Sequence, residues 1–151
     1  RRQRQMCIRD RDKYNLTRFI EAQEGMYLIA LKELRQGRKR SHWMWYVFPQ
    51  LKGLGHSFNS QFYGISGLEE AAAYLAEPVL SRRLREAAMA ILNLPGDNAM
   101  EVLGDIDSRK LLSSMTLFDA ASPGDVFARV LRKYFGSRRD RKTLELLHPD
   151  E

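Results

Sequence analysis

Residues 38–63 hold the side chains with the most chemical capacity. The run opens Arg38, Lys39, Arg40, Ser41, His42, Trp43, Met44, Trp45 and Tyr46, and continues through Phe48, His56, Phe58 and Phe62 to Tyr63. Both tryptophans, seven of the fifteen aromatics and two of the three histidines fall here, so the segment needs its own account. Trp43, Trp45, Tyr46 and Phe48 cannot share one helical face. An aromatic with a polar tip is also costly to bury unless the tip finds a partner. The cluster therefore either staples helices together or lines a pocket. In the pocket reading, Ser41 caps a helix entered at Trp43. Free N–H groups there, flanked by Arg38, Arg40 and His42, attract a phosphate or carboxylate. Trp43, Trp45 and Tyr63 supply stacking walls for a base or a sugar, and the turn at residues 52–57 adds backbone donors. In the structural reading, the basic residues sit in water beyond a helix end and the tryptophans belong to the core. Both readings stand at this level.

A second patch runs from Asp105 to Phe118. Asp105 or Asp107 suits a helix start, and Asp107 can pair with Lys110 at i,i+3. Ser113, Ser114 and Thr116 lie among apolar residues. Small hydroxyls at such positions permit close helix approach while bonding the preceding turn. Alternatively, Lys110, Ser113 and Ser114 face the aromatic segment as polar contacts to a ligand. A serine nucleophile would need a base within hydrogen-bond reach, with His42 or His56 as the candidates. The three histidines, His42, His56 and His148, form no i,i+4 pair, which argues against a metal site.

The elements that must position these residues are helical. Asn15 caps a first helix with Leu16, Phe19 and Ile20 inward. Tyr27, Leu28, Leu31 and Leu34 continue the face past a break at Gly25, and Gly37 stops it. Ser66 to Glu69 reads as a capping box opening residues 68–76, and Pro78 starts the next helix. Asn98 opens a short one. Asp125 opens an amphipathic helix that Gly136 ends, and Asp140 caps a last piece carrying Leu144 and Leu147. Residues 58–65 are the best strand candidate. The expected fold is all-α, a compact multihelical single domain over residues 13–148 with six to eight mostly short helices.

Residues 1–11 match the translation of a transposase-type sequencing adapter, so residues 1–12 are set apart as non-native or disordered. The whole chain carries 25 basic and 19 acidic side chains, net +6. Five arginines and one aspartate lie in residues 1–11, which leaves 20 and 18, net +2. Bulk charge then gives little support to nucleic-acid binding. The lone Cys7 falls in the same segment, so no disulfide or cysteine–zinc chemistry is expected. No run of 18 apolar residues exists, which argues against a membrane span, and the cytoplasm is the default location.

The string GRKRSHWMWYVFPQLKGLG at residues 37–55 closely resembles the signature of the bacterial domain-of-unknown-function family 1810. LTRFIEAQ at 16–23, FYGI at 62–65, EAAAYL at 70–75, PVL at 78–80 and DSRKLLSSMTLF at 107–118 resemble its other blocks. The resemblance covers roughly residues 14–147 and implies a multihelical fold. It carries no established activity or cofactor. Some members bear the label calpastatin, a name of long disordered inhibitors, whereas this chain reads as short and globular. The leading expectation is a domain binding a small anionic, phosphorylated or nucleotide-like ligand between residues 38–63 and the 107–118 helix. The rival is a non-catalytic interaction or homodimerisation module using the Trp43–Phe62 patch. Whether a reaction follows is left open.

Overall fold

A computed structural model describes residues 13–148. The segment set apart as non-native or disordered, residues 1–12, lies outside these described residues. Ten helices are delimited among them: α1 (Thr17–Gln23), α2 (Tyr27–Gln36), α3 (Met44–Val47), α4 (Phe58–Phe62), α5 (Leu68–Ala76), α6 (Pro78–Leu92), α7 (Ala99–Leu103), α8 (Asp105–Ala121), α9 (Val126–Phe135) and α10 (Arg141–Leu147). The architecture is all-α, but the number of helices exceeds the six to eight expected. The excess comes from α3 and α4, which have only four and five residues. Single turns of this kind are too short to show a hydrophobic period.

Punctuation by caps accounts for many of the boundaries. Glu77 accepts from the N–H groups of Val79 and Leu80 beside Pro78 at the start of α6. Asn98 does the same for Met100 and Glu101, and Asp125 and Asp140 cap α9 and α10. Gly37 and Gly136 close α2 and α9 in the left-handed conformation that a side chain disfavours. Other expected caps are different. Asn15 has a positive φ of 52° and Leu16 takes the N-cap of α1 with no side-chain bond. The Ser66–Glu69 box is shifted by one residue: Glu70, not Glu69, accepts from the Ser66 N–H at 2.9 Å. Glu70 is drawn inward by Arg18, while Glu69 stays exposed. Leu28 and Leu144 point outward.

Two helices organise the packing. α8 touches α5, α7, α9 and α10, and α6 touches α1, α2, α3, α5 and α9. Every residue from Leu111 to Phe118 is buried. A helix enclosed on all sides needs small side chains where its neighbours come closest, and Ser113, Ser114 and Thr116 supply them. Tyr74, Phe118 and Phe127 form a chain of ring contacts 5.3 and 5.7 Å apart through the centre.

The expected strand at residues 58–65 is largely a helix. Ser57 caps α4, and only Ile65 pairs, in an isolated parallel bridge to Leu51. Lys52 N–H donates to the Ile65 carbonyl at 2.7 Å and Ile65 N–H to the Gln50 carbonyl at 2.9 Å. This bridge clasps the base of a loop that carries α4. Gly64 sits in the clasp so tightly that a Cβ would lie 2.8 Å from the Lys52 Cα.

Candidate functional site

The basic loop after α2 is built around a carboxylate of its own. Glu33 lies in the last turn of α2 on the inward side, between Ala30 and Leu34. Beyond Gly37 the chain folds back over it. The Glu33 carboxylate accepts from Arg40 N–H at 2.9 Å, Ser41 N–H at 3.0 Å, the Ser41 hydroxyl at 2.6 Å and the Trp43 indole N–H at 2.9 Å. Burial alone would raise the Glu33 pKa, but these bonds, led by the Ser41 hydroxyl, outweigh it and hold the carboxyl at about 2. The anion seated among these donors is thus internal. Arg38, Arg40 and His42 have exposed side chains, Ser41 is turned to Glu33, and Trp43 is fully buried. None of these five lines the cavity that opens beside Trp45. The sequence signal for Glu33 is an acid on the inward face of a helix, one residue before Leu34.

The chain then turns toward α8. Lys39 Nζ lies 2.8 Å from Asp107 Oδ2, and Asp107 Oδ1 lies 3.5 Å from Lys110 Nζ. Lys110 Nζ is in turn 3.9 Å from the centroid of the Trp45 ring. These contacts bind the aromatic segment to the start of α8 by alternating charge, and they end on a cation held over an aromatic face.

Beside Trp45 opens a cavity of about 400 Å³. The clasped loop contributes Gln50, Leu51, Leu54, Gly55, Ser60, Tyr63 and Gly64. α8 contributes Ile106, Arg109, Lys110 and Ser113, and the start of α10 contributes Asp140 and Lys142. Residues 38–63 and the 107–118 helix therefore face each other. Of the residues singled out from sequence, Trp45, Tyr63, Lys110 and Ser113 share this cavity. Gln50, Arg109, Asp140 and Lys142 join them without having been anticipated. Asp140 had a sufficient explanation as a helix cap, and it serves as one: its Oδ2 accepts from Thr143 N–H at 3.0 Å. Its own N–H donates to Thr116 Oγ1 at 2.9 Å, which ties the start of α10 to α8.

The arrangement offers three cations, one carboxylate and amide and hydroxyl groups among apolar walls. No serine–base couple is assembled. Ser113 Oγ donates to the Arg109 carbonyl at 3.2 Å, and neither His42 nor His56 lines the cavity. Asp105 and Asp107 are engaged by Arg109, Lys39 and Lys110.

Ser114 points elsewhere. It is fully buried outside the cavity, and its hydroxyl has no hydrogen-bond partner among the described residues. A hydroxyl buried without a partner is destabilising. Ser114→Ala is expected to raise stability by about 0.5–1 kcal/mol, read as a higher urea midpoint at an unchanged slope. A lower midpoint would show that the hydroxyl is satisfied.

The family model described as a protein of unknown function (DUF1810) matches residues 13–147. No curated protein matches the chain. Among solved structures, the crystal structure of the conserved hypothetical protein Rv1873 from Mycobacterium tuberculosis is similar at 47% identity, with a TM-score of 0.87. The match covers 89% of this chain and 97% of that one. With nearly all of residues 13–148 matched, the chain belongs to the DUF1810 family.

Proposed function

We propose that this domain binds a small phosphorylated ligand in the cavity between the clasped loop and α8. The observation that carries the reading is convergence: two segments bring Arg109 and Lys110, and Lys142, to one concave site where a third supplies Trp45 and Tyr63. Asp140 is the one carboxylate on the lining itself, and Asp105 and Asp107 pair with Arg109 and Lys110 from behind it; with Lys39 and Lys142 counted, the site keeps a small positive excess, suited to an anionic group. A few polar groups within apolar walls is the usual composition of a ligand site.

Titration calorimetry at low salt tests this with phosphorylated compounds and their dephosphorylated counterparts. Binding is expected only with the phosphate present. Lys110→Ala is expected to weaken it at least tenfold, and the melting temperature should fall by no more than a few degrees, because Lys110 lies at the edge of the core. Equal affinity in Lys110→Ala, or no binding by any phosphorylated compound, overturns the reading.

One observation favours a second reading, a homodimer. Phe58 is 75% exposed and Phe62 40%, and their rings stack at 5.3 Å on the outer side of α4. With Trp43 buried, the interaction patch expected at Trp43–Phe62 contracts to this pair and its surroundings. Sedimentation equilibrium over a range of concentrations separates the two readings.

A further inference from the structure

The cavity is more elaborate than a phosphate needs, and the surplus describes the rest of the ligand. Its volume, about 400 Å³, falls in the lower part of the range of roughly 300–1,000 Å³ used for small organic molecules. Its apolar lining is provided by Leu51, Leu54 and Ile106 together with the Trp45 and Tyr63 rings. Phosphate alone, or a sugar phosphate, would leave these walls facing water, whereas a flat heteroaromatic ring would cover them.

Asp140 restricts the remaining part. Its Oδ2 is occupied by Thr143 N–H and the Thr143 hydroxyl, whereas Oδ1 accepts no hydrogen bond among the described residues. A carboxylate repels a phosphate placed beside it, so the phosphate is assigned to Arg109 and Lys110 on α8, whose cations offset the Asp105 and Asp107 carboxylates they already pair with and would be shared with the ligand. The ligand group suited to Asp140 is then a hydrogen-bond donor without negative charge, such as a hydroxyl or an amino group. A ring, donor groups and a phosphate in one molecule of this size define a class.

Resting on the phosphorylated-ligand reading, we infer that the ligand is a nucleoside monophosphate, its base against the apolar walls, its phosphate at Arg109 and Lys110, and a hydroxyl or amino group donating to Asp140. The cations supply the attraction, the walls select for a base, and Asp140 rejects a second anionic group on that side. The inference concerns binding only and includes no bond-breaking step.

Calorimetry on the full chain with adenosine and cytidine monophosphates, adenosine, ribose 5-phosphate and inorganic phosphate tests it. At least one nucleotide is expected to bind tenfold or more tightly than both ribose 5-phosphate and adenosine. Asp140→Asn keeps a residue able to cap α10. It is expected to weaken nucleotide binding at least fivefold while inorganic phosphate binds as well or better. Ribose 5-phosphate binding as tightly as the nucleotides would overturn the nucleoside inference and leave the phosphorylated-ligand reading standing. Unchanged nucleotide affinity in Asp140→Asn would overturn the assignment of Asp140. No binding by any phosphorylated compound would overturn both readings.

Discussion

Glu33→Ala is expected to destabilise the fold by about 3–5 kcal/mol, the cost of leaving several buried donors unpaired. The truncation strands the Trp43 indole N–H at the centre of the core and frees the Arg40 and Ser41 N–H groups that set the loop. For a domain of this size the melting temperature falls by roughly 10 °C or more. The same carboxylate makes stability acid-sensitive in a definite direction. Its folded pKa, about 2, lies below the ordinary 4.5, so the stabilisation is complete above about pH 4.5 and disappears as the pH falls toward 2. The integrated contribution is on the order of 3 kcal/mol. Urea titrations followed by circular dichroism at several pH values should therefore show wild type and Glu33→Ala converging between pH 4.5 and 2. A gap that stays constant across that window would mean that Glu33 does not carry the charge-dependent part.

Arg18→Ala is the second large effect, also about 3–5 kcal/mol, because it leaves a buried carboxylate without its cation. Arg18 Nη2 lies 2.9 Å from Glu70 Oε2, with only 8% and 4% of the two side chains exposed. Its remaining donors reach the carbonyls of Phe62 at 2.7 Å and Gly64 at 3.1 Å, and those of Tyr14 and Asn15. One guanidinium thus joins the entry of α1, the end of α4 and the start of α5. Lysine presents a single ammonium without the planar fork, so Arg18→Lys is expected to recover only a minor part. The double variant Arg18→Ala, Glu70→Ala should be less destabilised than the sum of the single ones, since it leaves no lone charge behind. Denaturant midpoints of the four proteins measure this. Strict additivity would show that the two residues do not act as a pair.

Much of the fold was legible because its signals are local. Asn98, Asp125 and Asp140 cap their helices through bonds that reach two or three residues ahead, and Gly37 and Gly136 end theirs by a conformation of their own backbone. What escaped depends on residues distant in the chain. Phe58 and Phe62 have the composition of a strand, and the local Ser57 cap marks a helix there instead, while the Leu51–Ile65 bridge that closes the loop joins residues 14 apart. Glu70 replaces Glu69 at the head of α5 because Arg18, 52 residues earlier, takes hold of it. The site divides along the same line. Aromatic density and the Asp107–Lys110 spacing marked two of its walls. Asp140 and Lys142 arrive from a third segment, tied to α8 by the Thr116–Asp140 bond and the Arg139–Asp119 ion pair. The Arg38–His42 run looked like a docking point for an anion, and the loop does hold one, seven to ten residues from its donors on the preceding helix.

The two tryptophans of this chain occupy opposite surroundings. Trp43 is sealed in the core with its indole N–H on a carboxylate, while Trp45 is half-buried at the cavity with an ammonium over its face. Tryptophan emission from the protein, excited beyond the tyrosine band, is therefore the sum of two chromophores with separate duties. Emission from Trp43 is expected to change only when the chain unfolds, whereas that of Trp45 is expected to shift when the Lys110 ammonium is drawn off its ring. A single unlabelled sample thus carries one optical gauge for the folded state and another for the state of the cavity.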